Sequence, residues 1–205
     1  SLLPKYQGLN THERVLAACE QQHGASVHFV TPSLDGVQSE VIHFATDQAD
    51  LQPWIEMECY QLGHGATLAR IDHLDLGSAQ LVRETQTATV QKLGAMPANL
   101  CTISVCTPDP TFRFSELSAG TSDAVFFMPG GTEFDIYVPA GACTSYISLD
   151  QEQLLHSARA IAPTAWQCAP DQLSTISATS RPAFSNLISQ IFNQAARLTV
   201  AHEPL

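Results

Sequence analysis

Positive charge is what this sequence has least of: nine Lys and Arg stand against twenty Asp and Glu, for a formal net charge of −11. A surface that negative repels phosphate backbones, so these residues are not expected to hold DNA or RNA through charge. Long apolar runs are missing too, and no charged stretch followed by an apolar one opens the chain, so neither a membrane span nor a secretory leader is expected. The six cysteines (19, 59, 101, 106, 143 and 168) make no CxxC pair and no dense framework, which predicts reduced thiols in a cytoplasmic protein. Chemical motifs are equally scarce. The eight histidines are scattered without HxH or HxxxH spacing, G-x-S-x-G does not occur, and no Cys lies beside a His in a recognisable pattern. Pro129-Gly130-Gly131-Thr132 lacks the Lys and the following helix of a phosphate loop and reads as a hairpin turn. No catalytic residue, metal or cofactor is therefore expected, and the chain reads as a non-enzyme.

Apolar residues are plentiful, at 44% against 14% charged, which is enough for a sizeable core. Between Trp54 and Leu149 they fall into short alternating segments: 54–62, 66–76, 79–90, 100–107, 111–117, 123–129, 133–139 and 143–149. Turn residues separate them, among them Gly63-His64-Gly65, Gly77-Ser78, Pro129-Gly130-Gly131 and Pro139-Ala140-Gly141. Strands at this regular spacing predict a mainly β chain built as an antiparallel barrel or double sheet. Glu56 and Glu58 alternate on one face of the first segment and read as solvent-facing charges on an edge strand.

Helices are expected on either side. Asn10-Thr11-His12-Glu13 resembles a capping box opening a helix that Gly24 ends. Residues 26–44 read as two short strands around Asp35-Gly36, and 46–51 as a helical turn. Asp150-Gln151-Glu152-Gln153 begins a second helix that Pro163 stops, and 164–180 reads as a connector. From Ser180-Arg181-Pro182 onward, Phe184, Leu187, Ile188, Ile191, Phe192 and Ala195 form a stripe at i, i+3, i+4 and i+7. Such a stripe either covers one side of the barrel or pairs with its copy in a second chain as a dimerisation helix. The resulting plan is an N-terminal helix with short strands (1–50), a β-barrel (51–150) and a helical dimerisation or linker region (151–205).

Given so few cations, their placement is informative. Arg70, Arg83 and Arg113 all interrupt β segments. Facing solvent they are ordinary; facing inward each needs an anion, which a polar or anionic ligand can supply. The candidate ligand-binding set is therefore Arg70, Arg83 and Arg113 among Trp54, Tyr60 and Phe114.

Residues 51–162 also resemble a known family. Trp54, Leu62 and Gly65 are followed by Leu76, Gly77, Leu81 and Arg83, then by Pro129-Gly130, Pro139 with Gly141, and a strand running into a helix at 149–155. In this order they are similar to the N-terminal sensory domain of AraC/XylS-type transcription regulators, in the branch with a diverged cupin-like barrel. The resemblance implies a cytoplasmic regulator whose barrel senses a small-molecule effector and whose following helices form a homodimer. It also implies a helix-turn-helix domain, expected C-terminal to these residues, that reads DNA in the major groove. Two alternatives stay open: a metal-dependent cupin-like enzyme, and a ligand-free structural dimerisation module.

Overall fold

The computed structural model describes residues 36–120, 124–167, 170–177 and 181–200. The chain divides into two compact units, residues 1–33 and 34–205, and the first lies outside the described residues. The expected helix over 10–24 and the first strand of the 26–44 hairpin fall there as well, as do Cys19, Cys168 and four of the histidines (12, 23, 28 and 202).

The second unit is mainly β. Its elements in chain order are β1 (Gln38–Ile42), α1 (Ala45–Asp50), β2 (Glu56–Gln61), β3 (Ala69–Asp75), β4 (Ala79–Gln86), β5 (Val90–Ala95), β6 (Leu100–Cys106), β7 (Arg113–Phe114), β8 (Leu117–Ser118), β9 (Ala124–Met128), β10 (Glu133–Val138), β11 (Cys143–Asp150), α2 (Gln151–Ile161), β12 (Ser174–Ser177) and α3 (Arg181–Val200). Seven strands form one sheet in the order β1-β3-β4-β11-β6-β9-β12, and five form another in the order β2-β5-β10-β7-β8. The strand pairs are antiparallel. This is the expected double-sheet architecture with flanking helices.

Local chemistry places the turns. Between β3 and β4 the chain reverses at Gly77, which takes φ 75° and donates its N–H to the Asp75 carboxylate at 2.7 Å. That backbone conformation is one glycine adopts without steric cost. α2 begins where the sequence places it, with the Asp150 side chain accepting from the Gln153 N–H at 2.8 Å as an N-cap.

Three expected elements differ. Segment 79–90 is not one strand: β4 ends at Gln86, and the chain then crosses to the other sheet to begin β5 at Val90. The crossing is held by the Thr87 and Ala88 N–H groups, which both donate to the Leu68 carbonyl. Alternation alone does not reveal it, because Gln86, Ala88 and Val90 are all buried and the pattern runs through the corner unbroken. Segment 111–117 is likewise divided, into β7 and β8, at Ser115 with its positive φ of 50°. The connector over 164–180 contains β12, which pairs with β9 and extends the large sheet.

Two cores result. One lies between the sheets and includes Leu68, Ile71, Val82, Val90, Phe112, Phe114, Phe126 and Phe134. The other lies on the outer face of the large sheet, where Leu74, Leu81, Val105 and Val125 meet Ile188, Phe192 and Ala195 of α3. The final helix therefore covers the shell it follows. Alternation along β4 explains both: Val82, Glu84 and Gln86 point between the sheets, and Leu81 and Arg83 point toward the helix.

Candidate ligand cavity

The interior between the sheets is not completely filled. A cavity of about 50 Å³ remains, walled on the large-sheet side by Glu84, Thr102, Ser104, Met128, Thr144 and Tyr146. The small sheet closes it with Met57, Lys92, Phe114, Phe134, Ile136 and Val138, while Gln52, Ile55, Met96 and Phe112 complete the lining. Phe114 stacks on Phe112 at 5.2 Å and on Phe126 at 4.2 Å between ring centroids, which stiffens the apolar wall.

The polar end is a closed network. Lys92 Nζ lies 2.5 Å from Glu84 Oε2, so the ion pair bridges β5 of one sheet and β4 of the other. The second carboxylate oxygen of Glu84 accepts from Gln52 Nε2 at 2.7 Å, and that same amide donates to the Gln48 carbonyl at 3.0 Å. Tyr146 donates its hydroxyl to Gln52 Oε1. Gln48 and Gln86 exchange side-chain amide bonds at 3.1 and 3.2 Å, docking α1 against the shell. Burial, with the nearby Glu84 carboxylate and Cys59 adding to it, pushes the Tyr146 phenol well above its usual range. Burial likewise raises the Cys59 thiol to about 11; Lys92 opposes the shift and Glu84 adds to it. Ser104 and Thr144, buried on adjacent strands, face the cavity with hydroxyls that have no hydrogen-bond partner among the described residues.

Of the six expected ligand contacts, only Phe114 lines this cavity. Arg70 and Arg83 sit on the outer face of the large sheet and converge on Asp72, with Arg83 Nη2 at 2.6 Å and Arg70 Nε at 3.3 Å from its carboxylate oxygens. Arg83 also lies over the Phe192 ring at 4.8 Å, in a cleft of about 320 Å³ that Val37, Ser39 and Asn193 share. Arg113 is exposed, with its guanidinium 5.9 Å from the Tyr137 ring. Tyr60 is exposed beside Glu58, to which its hydroxyl donates at 2.5 Å. Trp54 stacks on His73 at 4.8 Å, outside the cavity, and its buried indole N–H has no partner among the described residues. The inward-facing charges are instead Lys92 and Glu84, neither of which interrupts an apolar run conspicuously. The choice between Arg83 and Glu84 rests on strand register, which a single residue's slip inverts.

Of the expected dimerisation residues, Ile188, Phe192 and Ala195 are buried against their own sheet, and Phe184 and Ile191 are half-buried. Leu187 is 52% exposed and is the one of the six that points to solvent. Glu56 and Glu58 are exposed on β2, an edge strand of the small sheet, as expected. Among the described residues no group of three or more His, Cys, Asp or Glu is placed to hold a metal, and no helix is long and apolar enough to cross a membrane.

Comparisons with known proteins divide along the chain. The fold resembles the crystal structure of the AraC-like transcriptional activator CuxR, with a TM-score of 0.51 and 13% sequence identity, covering 80% of this chain and 66% of that one. At that identity the likeness concerns the fold. Residues 1–48 match the formyl transferase family by sequence. Over 54 residues the chain is 52% identical to phosphoribosylglycinamide formyltransferase of Escherichia coli (strain K12) and 44% identical to that of Haemophilus influenzae (strain ATCC 51907 / DSM 11121 / KW20 / Rd). These matches take in 24% of this chain, which spans about a quarter, 26%, of each relative.

The N-terminal matches overturn the expectation of a non-enzyme, because they point to an enzyme. Motif spacing did not reveal it. The matched residues hold no metal-ligand pair, nucleophile elbow or phosphate loop, and the signal lies in residue-by-residue identity, which periodicity does not read.

Proposed function

We propose that the two-sheet unit is the effector-sensing domain of an AraC-type transcription regulator, one that reports a small molecule to a DNA-binding domain and associates as a homodimer. The observation that carries this reading is the cavity between the sheets, with polar and apolar walls supplied by both sheets of an AraC-like fold. A guest there touches β4, β6 and β11, the strands whose outer faces support α3. Occupancy can thus bias how that helix sits, provided the guest binds the two arrangements with different affinity. Leu187 and the polar surface around it are left for contact with a second copy. A metabolite panel followed by thermal unfolding tests the reading. An effector should raise the midpoint of the wild type and not that of Ser104→Phe, which fills the cavity. If no compound raises the midpoint, the reading fails.

A second reading concerns residues 1–48, whose similarity to phosphoribosylglycinamide formyltransferases favours a role in formyl transfer. A quarter of such an enzyme needs the remainder of its fold to complete a site. Mixing this chain with a fragment of the Escherichia coli enzyme that lacks the corresponding quarter should restore formyl transfer to phosphoribosylglycinamide. Absence of activity from the folded mixture would remove this reading.

A further inference from the structure

We infer that the cavity takes a small neutral guest, an apolar ring or short chain carrying one hydroxyl-type group, rather than an anion, a cation or a sugar. This rests on the sensing function proposed above and specifies what that site can hold. Charge decides first. Lys92 and Glu84 are buried to 5% and 3% exposure and are bonded to each other at 2.5 Å, so the interior is already neutral. A charged guest would leave one uncompensated charge in a buried interior lined mostly by apolar side chains, which is strongly unfavourable. Gln52 and Tyr146 are likewise occupied, with Glu84 and with one another. The network therefore offers few open positions for the several hydroxyls of a sugar.

Two polar positions do remain. Ser104 and Thr144 are 4% and 7% exposed, face the cavity, and have no side-chain partner among the described residues. Each hydroxyl can donate and accept, and together they suit a single hydroxyl, carbonyl or similar group on the guest.

The rest of the wall is apolar and adaptable. All three methionines of the chain, Met57, Met96 and Met128, converge on this cavity. Thioether side chains repack at low cost and make favourable contacts with rings. A space of about 50 Å³ is smaller than a six-membered ring requires, so the ring enters by displacing methionine side chains. Three methionines beside Phe112, Phe114 and Phe134 make that displacement feasible.

The same methionines supply the test. With methyl-¹³C methionine the whole chain gives three methyl signals, every one from a residue lining the cavity. Phenol, benzoate and benzylammonium are titrated separately, with toluene as the ring lacking a polar group. Phenol should shift the signals at a concentration at least tenfold below that needed by either ion. The double variant Ser104→Ala with Thr144→Val should weaken phenol about tenfold and leave toluene unchanged. A milder single variant, Ser104→Ala, gives the same direction if the double one fails to fold. Benzoate or benzylammonium shifting the signals at concentrations equal to or below phenol would overturn the ligand class while leaving the sensing function standing. Silence of all three signals toward every probe would overturn both.

Discussion

Lys92 and Glu84 meet at 2.5 Å inside the shell, one from each sheet, and both are almost completely buried. Two charges removed from water repay their desolvation only through each other and through further hydrogen bonds. Here Gln52 supplies such a bond to the carboxylate, so the pair is a cross-sheet tie whose members are interdependent.

Removing one member should therefore cost more than removing both. Lys92→Met leaves the Glu84 carboxylate buried without its cation and should destabilise by about 3–5 kcal/mol. Lys92→Met combined with Glu84→Gln should recover much of that loss. Urea unfolding of the three proteins checks it; a double variant less stable than Lys92→Met would contradict the interdependence.

Gly94 of β5 is a point of close approach. An added Cβ would lie 2.2 Å from the Glu56 carbonyl oxygen and 2.6 Å from Cζ of Phe134. Backbone on one side and a cavity-wall ring on the other cannot both yield. Gly94→Ala should thus destabilise by about 1–3 kcal/mol, the usual cost of overpacking. Its midpoint in thermal unfolding should fall, accompanied by shifts at Met57 and Met96.

Asp72 predicts an acid-side dependence. Burial raises its pKa, but the Ser39 hydroxyl and Arg83, with Arg70 beside them, outweigh burial and hold the carboxyl below its ordinary value. Between the two values the unfolded chain binds the proton and the folded one does not. Stability from this group is therefore complete above the ordinary carboxylate range and is lost as pH falls through the lowered folded value. Asp72→Asn should flatten that part of the stability profile below about pH 4. Thermal midpoints measured from neutral pH downward show whether the difference from wild type shrinks on acidification, as expected.

Thiol reactivity should follow burial. Cys59 and Cys101 are raised to about 11 and Cys106 to about 12, in each case chiefly by desolvation. Thiolate is the reacting species, so all three should resist iodoacetamide at pH 8 until the protein is unfolded. Peptide mass mapping before and after denaturation reads this directly; rapid native labelling of Cys106 would show that the core between the two sheets opens.

The two faces of α3 should respond differently. Phe192→Ala removes a ring packed between the helix and the large sheet and should cost about 3–5 kcal/mol. Leu187→Glu replaces an exposed side chain and should change stability by less than about 0.5 kcal/mol. Its sedimentation mass is the informative quantity: halving relative to wild type supports association through this face, and an unchanged dimer mass excludes Leu187 from the interface.

Much of the fold was legible in the residues themselves. Period-two alternation with Gly and Pro punctuation located β2, β3, β6 and β9 to β11, and the acid at Asp150 located the start of α2. The β4–β5 corner was not legible, since inward-facing residues continue through it while the hydrogen bonds change sheets. Arg70, Arg83 and Arg113 drew attention as rare cations in strands, yet all three face outward. Lys92 lies between Gln91 and Leu93 and gives no local sign of its burial.

Composition and alternation by themselves determined that this chain makes a mainly β unit with an amphipathic final helix, because those properties depend on neighbours a few residues apart. Which charges enter the interior, which face of α3 is spent on its own sheet, and how three methionines come to surround one cavity were decided only by tertiary structure. Each depends on register between strands far apart in sequence, where a shift of one residue turns every side chain to the opposite face.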